Sequence, residues 1–315
     1  MKLSVVTTMY YSSTYLKDFY FKVTDAIEKC GINSYEIIFV NDGSPDDSSS
    51  VIRNIAAKDS NIKLVELSRN FGHHNAIIAG LSRSCGDYVY LIDCDLEEHP
   101  DLLCNFWQEL KSSDWKYDVV YGIQSKRKGN YFERISGKIY YYLLSMLSNI
   151  DYPANTLTAR IMSRRYVDKV LFYKEKAIDV WGIFALVGFD QRGIVVDKKS
   201  KGQSTYTLKR KINMAIETIT SLSSKPLYFI FLIGFFMVLF SFLWLFYIIV
   251  HALITDMSSV EGWASLMASI WFVGGLLIFA LGVIAIYLSK IFIEVKGRPL
   301  FVIKEETNQN NENNK

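Results

Sequence analysis

The sequence lacks most of the signatures that identify a protein at a glance. No Gly-x-Gly-x-x-Gly follows the first apolar run, and no Gly-x-x-x-x-Gly-Lys-[Ser/Thr] occurs anywhere. A nicotinamide dehydrogenase and a P-loop nucleotidase both lose their main support. There are only four cysteines, Cys30, Cys85, Cys94 and Cys104, with no Cys-x-x-Cys pair and no histidine at metal-finger spacing. They read as scattered reduced thiols of a cytosolic domain rather than a disulfide framework. Net charge is only +3 over 315 residues, which gives no concentrated basic face and argues against nucleic acid as a partner. Five prolines and a 50% hydrophobic content exclude a disordered or collagen-like chain. Met1-Lys2 leads straight into Leu3–Met9 with no small-residue cleavage site, so this start reads as a buried strand and not a secretory signal.

What is abundant is apolar sequence, and it is unevenly placed. From Pro226 to Val250, and again from Trp263 to Ser289, no residue carries a formal charge. At ~1.5 Å per residue each run exceeds the roughly 30 Å hydrocarbon core of a bilayer, so two transmembrane helices are expected. The connector Thr255–Gly262 holds Asp256 and Glu261 but no Lys or Arg. Lys201, Lys209, Arg210, Lys211 and Lys225 precede the first run, and Lys290, Lys296, Arg298 and Lys304 follow the second. By the positive-inside rule, both termini and the large N-terminal part face the cytoplasm, with the spans in the plasma (inner) membrane. The expected organisation is a soluble unit over 1–225, two spans over 226–290 and a cytoplasmic tail over 291–315. The tail from Glu305 onward is polar and Asn-rich and reads as disordered.

The N-terminal part alternates two periodicities. Strand-length apolar runs occur at Leu3–Met9, Tyr35–Val40, Ile62–Glu66, Tyr88–Ile92 and Asp118–Gly122. Between them, Tyr15–Cys30 places Leu16, Phe19, Val23, Ala26 and Ile27 on one helical stripe, and Val51–Ala57 and Asn75–Leu81 are shorter versions. Strand–helix alternation predicts an α/β domain with a mostly parallel sheet. In such sheets ligands bind beyond the carboxyl ends of the strands, so the post-strand residues carry the most information.

Three of those loops are chemically informative. After the fourth run comes Asp93-Cys94-Asp95-Leu96-Glu97-Glu98. Two carboxylates one residue apart at a strand end need a cation or a partner, and they suit Mg²⁺ or Mn²⁺ bridging to a substrate phosphate. The bland alternative is a solvated acidic turn before the helix that starts near Asp101. After the second run comes Asn41-Asp42-Gly43-Ser44-Pro45-Asp46-Asp47-Ser48, a tight turn followed by a cap, which aims Asp42 into the crevice toward a base or ribose. After the third comes Ser68-Arg69-Asn70-Phe71-Gly72-His73-His74, where Arg69 is placed to meet a diphosphate and Gly72 permits close approach of a helix N-terminus. The adjacent His73 and His74 read as surface or capping residues.

As a set, these residues resemble glycosyltransferase family 2 of the polyprenyl-phosphate type. The matching segments are Ser4-Val5-Val6, Asn41-Asp42-Gly43-Ser44, Arg69-Asn70-Phe71-Gly72, Asp93-Cys94-Asp95-Leu96 with Pro100, Ile161-Met162-Ser163-Arg164, Gly182, Gly188-Phe189 and Lys225-Pro226-Leu227. The resemblance implies a GT-A-like (Rossmann-like) fold and an inverting transfer from a UDP- or GDP-sugar to a polyprenyl phosphate. It implies donor contacts at Thr7, Asp42, Arg69 and Asp93, a metal at Asp93, Asp95 and Glu97, and catalytic roles for Asp95 and Arg160. The sequence departs from the family pattern at Thr8, Ser12, Glu97, Thr158, where relatives carry an acid, and Trp181, where they carry an Arg.

Lys126-Arg127-Lys128 precedes Tyr131–Ser148, whose apolar residues recur at helical spacing with Arg134 and Lys138 at the edge. This reads as an amphipathic helix on the membrane surface, with Lys209–Leu222 as a second. Lys126, Arg127 and Arg134, together with Arg160, are the expected partners of the lipid phosphate, because cationic donors, and Arg forks above all, match its oxygens. Transfer to a lipid-linked saccharide, or an inactive membrane scaffold, are the competing readings, and a homo-oligomer is compatible with all three.

Overall fold

The computed structural model describes residues 1–124, 155–175, 179–196, 216, 219–220, 223–254 and 263–307. Lys126, Arg127, Arg134, the whole Tyr131–Ser148 segment, the Thr255–Gly262 connector and most of Lys209–Leu222 lie outside the described residues.

The expected strands and helices form where their periodicities place them. β1 (Leu3–Met9), β2 (Tyr35–Asn41), β3 (Ile62–Leu67), β4 (Tyr88–Leu91) and β5 (Val119–Gln124) alternate with α1 (Leu16–Lys29), α2 (Ser48–Ala56), α3 (His73–Arg83) and α4 (Leu102–Ser112). Beyond them come β6 (Thr156–Ser163), α5 (Arg164–Phe172), α6 (Val180–Leu186), β7 (Gln191–Val196), α7 (Lys225–Ile254), α8 (Trp263–Val295) and β8 (Ile303–Glu306). The strands make one sheet in the order β7-β5-β6-β4-β1-β2-β3-β8. β3, β2, β1 and β4 run parallel, as do β5 and β7, while β6 and β8 are antiparallel to their neighbours. The chain winds outward from β1 through β2 and β3, then returns across it to β4. That reversal opens a crevice at the carboxyl ends of β1 and β4.

Alternation along the strands fills two cores. Leu3, Val5, Ile37, Phe39 and Tyr90 face one layer with Leu16, Phe19, Ile52 and Phe106 from α1, α2 and α4. Val6, Ile38, Val40, Val89 and Leu91 face the other with Ile77 and Leu81 of α3, Val167 of α5 and Phe184 of α6. Both faces of the central strands are covered, which explains their near-continuous apolar character.

Two expectations are corrected. Cys30 and Cys104 are disulfide-bonded, with Cα atoms 5.3 Å apart. The reason is the packing of α1 beside α4 on one sheet face, which spacing along the chain does not reveal. Glu305 and Glu306 are not disordered, since they pair with β3 as β8. A four-residue strand is too short to show periodicity, and its stability comes from partners distant in sequence. Arg53 donates to Glu305 Oε1 and Oε2 at 2.9 and 2.7 Å, and Arg83 Nε lies 3.1 Å from Glu306 Oε2.

α7 and α8 are continuous helices of 30 and 33 residues. Their described side chains include many exposed large apolar groups, Phe231, Phe240, Trp271, Phe272 and Ile278 among them. Among the described residues one stretch, Ser269–Val295, is long and apolar enough to cross a membrane. The described apolar stretch of α7, Lys225–Met237, is shorter.

At the opposite end of the sheet from the crevice, Glu36 of β2 is only 2% exposed and ties four segments together. It accepts from Ser4 Oγ at 2.6 Å and the Cys85 amide at 2.8 Å, and Lys63 Nζ lies at 2.7 Å. Burial alone pushes its carboxyl up, but the Cys85, Lys63 and Ser4 donors outweigh that and bring it down to about 2. A lowered folded-state value stabilises the fold above the unfolded value of 4.5, and that stability is lost as pH falls toward 2. Glu36→Gln is expected to cost about 2–3 kcal/mol at pH 7. In thermal melts, the gap between variant and parent should narrow as pH drops below 4.5.

Candidate active site

The acidic loop after β4 owes its geometry to the residue between its two aspartates. Cys94 is 3% exposed and packs into the core beneath α1 and α4. Its thiol donates to the Thr8 carbonyl at 3.1 Å, and burial pushes its pKa up to about 11, so it is an inert anchor. With Cys94 turned inward, Asp93 and Asp95 are left on the accessible side, both half-buried. Asp95 Oδ1 accepts the Glu97 amide at 3.0 Å across Leu96, whose φ is +61°. This is an Asx-type turn with a non-glycine residue in the left-handed region, a costly conformation that surrounding contacts must hold.

One such contact is Glu98, 3% exposed, whose carboxylate accepts the amides of Thr158 at 3.1 Å and Ala159 at 2.6 Å. It joins the acidic loop to the start of β6. Thr158 Oγ1 then donates to Asp93 Oδ2 at 2.7 Å. Thr158 thus offers Asp93 a hydroxyl donor where an acidic side chain would place a second negative charge.

The second and third loops interlock. Asp42, 3% exposed, accepts the amides of Phe71 at 2.7 Å and Gly72 at 3.0 Å. Burial raises its pKa, and those two amides together with His73 and Arg69 pull it back. Gly43 has φ +64°, and a Cβ there would sit 2.5 Å from the Asn70 nitrogen, so the two loops touch through backbone alone. Arg69 lies 4.1 Å over the Phe71 ring and donates to the Asn70 carbonyl at 2.9 Å, on the exposed side of the loop.

Placement therefore separates the expected site residues. Asp42, Asp93, Asp95, Glu97 and Arg69 all stand on loops at the carboxyl ends of β2, β3 and β4. Thr7 is fully buried in β1, and its hydroxyl has no hydrogen-bond partner among the described residues. Among the described residues no three His, Cys, Asp or Glu side chains are grouped closely enough to hold a metal ion, and Glu97 stands two residues beyond Asp95, half-buried like it. Arg160 is 4% exposed, with its guanidinium 4.3 Å from the Phe184 ring and 4.7 Å from Trp181. It donates to the carbonyls of Thr158 and Leu157, and its edge lines a small pocket with Tyr121, Thr156, Trp181 and Gln191. Trp181 thus lies against the arginine.

Four contributors escape sequence reasoning. His73 sits between Thr8 Oγ1, at 3.1 Å, and Asp93 Oδ1, at 3.7 Å, and burial lowers its pKa against the pull of Asp93. Only a contact between the β1 and β4 ends makes it a site residue, and no local pattern shows that. Tyr10 and Tyr11, 46% and 63% exposed, pack edge to face at 4.8 Å directly after β1. Their post-strand position was the available signal. Glu98 was visible as an acid in the loop, but its role as a backbone acceptor was not.

Glu98→Ala is expected to leave two buried amides unpaired and destabilise the domain by about 2–4 kcal/mol, read as a lowered melting temperature. Glu98→Gln, which keeps one acceptor oxygen, should lose roughly half as much.

Comparison with known proteins agrees with this geometry. Residues 4–171 match the model of glycosyl transferase family 2. A glycosyltransferase-class protein of Mycobacterium tuberculosis (strain CDC 1551 / Oshkosh) is 40% identical over 304 residues, covering 96% of this chain and 88% of that protein. The SfII prophage-derived bactoprenol glucosyl transferase of Shigella flexneri is 31% identical over 308 residues, covering 97% and 98%. Among solved structures, mannosyl-3-phosphoglycerate synthase from Rubrobacter xylanophilus aligns with a TM-score of 0.48 at 15% identity, over 70% of this chain and 72% of that one. The sheet, its acidic post-strand loops and the match over most of the domain converge on one assignment: the chain is a glycosyltransferase and belongs to glycosyl transferase family 2.

Proposed function

We propose that this enzyme transfers a sugar from a nucleoside diphosphate sugar to a polyprenyl phosphate at the cytoplasmic face of a membrane. The observation that carries the reading is the pair Asp93 and Asp95, turned outward by buried Cys94 beside the loop that Asp42 clamps. Two half-buried carboxylates with a hydroxyl donor on one of them form an all-oxygen set. Such a set would suit Mg²⁺ or Mn²⁺, hard cations that take oxygen ligands, with Asp93 and Asp95 as the residues to hold the ion. When bound, the ion supplies positive charge where negative charge develops on the departing diphosphate.

The remaining steps belong to the chain. Tyr10 offers an exposed ring for the base to stack on, near the turn that Asp42 and Gly43 form. Arg69 stands on the neighbouring loop, placed for the diphosphate. An acceptor phosphate is anionic at neutral pH, so its oxygen attacks the anomeric carbon without a strong general base. The bond from that carbon to the diphosphate breaks, and the nucleoside diphosphate leaves with the electron pair. Catalysis then rests on positioning and on charge stabilisation. Arg160 shapes the β6–α6 wall, with its edge toward the pocket, and Lys126, Arg127 and Arg134 are assigned to the lipid phosphate.

Several features support a lipid acceptor and a two-span hairpin. α7 and α8 expose large apolar groups along their lengths. Tyr287 Oη, near the end of α8, donates to the Ser223 carbonyl just before α7 at 2.6 Å, which suits an antiparallel pair. β8 follows α8 yet belongs to the same sheet as β1–β7. A chain that leaves the catalytic domain and returns to it crosses a bilayer an even number of times, so a span at α8 calls for one at α7. The bactoprenol glucosyl transferases of Shigella and its phages, 31% identical over almost the whole chain, point to the same acceptor class.

The test is incubation of the membrane-embedded enzyme with Mn²⁺, undecaprenyl phosphate and a panel of labelled UDP- and GDP-sugars, followed by lipid extraction. One donor should yield a labelled lipid, and Asp95→Ala should cut that yield by about 100-fold or more at unchanged melting temperature. Transfer to a lipid-linked saccharide but not to the lipid phosphate would favour the other acceptor.

A further inference from the structure

The short strand after the last helix pairs along the strand that feeds the loop read here as donor-binding. β8 lies antiparallel to β3, with Val65 opposite Glu306, Glu66 opposite Glu305 and Leu67 opposite Ile303. The ladder does not stop where β3 ends. The amide of Ser68, first residue of the Ser68–Gly72 loop, donates to the Val302 carbonyl at 2.9 Å. Leu300, Phe301 and Ile303 pack against the same core as Phe71 of that loop. At the other end, the Leu64 amide donates to Thr307 Oγ1 at 2.8 Å and the Thr307 amide donates to the Leu64 carbonyl at 3.0 Å. Two ion pairs, Arg53 with Glu305 and Arg83 with Glu306, add charge to both sides of the strand.

The loop is gripped in its middle and at its exit by other segments, and at its entry by β8. Asp42 grips it at Phe71 and Gly72, and Gly43 touches it at Asn70. Its entry at Ser68 is fixed by β8. From Val295, the last residue of α8, only seven residues lead to Ile303.

We propose that residues 300–307 are a positioning strand for the donor site. They hold the entry of the Ser68–Gly72 loop, so that the membrane hairpin and the nucleotide pocket are coupled through β3. This inference rests on the reading of that loop as part of the donor site. An unrestrained loop must be ordered when the donor binds, and that ordering cost appears as weaker donor affinity. Acceptor recognition, assigned to other segments, is not expected to change with it.

The test uses the full-length enzyme in detergent or nanodiscs. Glu305→Lys combined with Glu306→Lys reverses both ion pairs, and deletion of 300–315 removes the strand outright. Hydrogen exchange at residues 64–68 reports release, and melting temperature reports folding. UDP and GDP affinity by calorimetry, with Mn²⁺ present, reports the donor site. Released but folded variants should bind the nucleoside diphosphate about tenfold more weakly and show a matching rise in donor KM. Acceptor KM should stay within about twofold. In the single variant Glu306→Arg, adding Arg83→Glu should restore both exchange protection and affinity. Faster exchange at Ser68 with unchanged nucleotide affinity would overturn the coupling while leaving the donor site intact. A parent enzyme that binds neither UDP nor GDP would instead overturn the donor-site reading on which it rests.

Discussion

Carboxylates gathered at one end of a parallel sheet repel one another, and the rest of this structure depends on how that repulsion is met. Asp42 and Glu98 are each 3% exposed, and each accepts two backbone amides. They act inside the protein, as clamps on the third loop and on the start of β6. Asp93 and Asp95 are half-buried and receive local donors, a threonine hydroxyl and the Glu97 amide. The division follows from burial: a carboxylate taken out of water must find donors within the fold, whereas one at the crevice mouth is also reached by solvent. One loop therefore carries both kinds of acid five residues apart, with Cys94 as the pivot that faces them differently.

Much of this was legible in the sequence because it is local. The five early strands follow from short apolar runs and the first three helices from period-3.6 patterns within single segments, and the importance of post-strand loops follows from α/β topology. What the pattern could not carry is contact between distant segments. β6, β7 and β8 pair with strands far away in sequence, and β8 is too short for any periodicity. The Cys30–Cys104 bond depends on two helices lying side by side. Thr7 belongs to a strand that ends at the crevice, but its register turns it into the core. Arg160 has the right chemistry for a phosphate, yet Trp181 and Phe184 close over it. His73 gains its place only when β1 and β4 become neighbours.

α8 and the sheet of the catalytic domain are joined by a short connection and not by a long tether. α8 ends close to β8, β8 completes the sheet beside β3, and β3 leads into the loop that Asp42 grips. The same sheet therefore holds strands from before α7 and after α8. Retained ion pairs on β8 also cover what would otherwise be an open sheet edge at β3.

The central claim is that Asp93 and Asp95 form a cation site completed by a nucleoside diphosphate. Electron paramagnetic resonance of Mn²⁺, titrated with the purified enzyme in the presence and absence of UDP or GDP, tests it most directly. The account predicts weak binding of Mn²⁺ alone, clear tightening when the matching nucleoside diphosphate is added, and loss of both in Asp95→Ala. Nucleotide binding that is indifferent to Mn²⁺, or Mn²⁺ binding unchanged in Asp95→Ala, would contradict it.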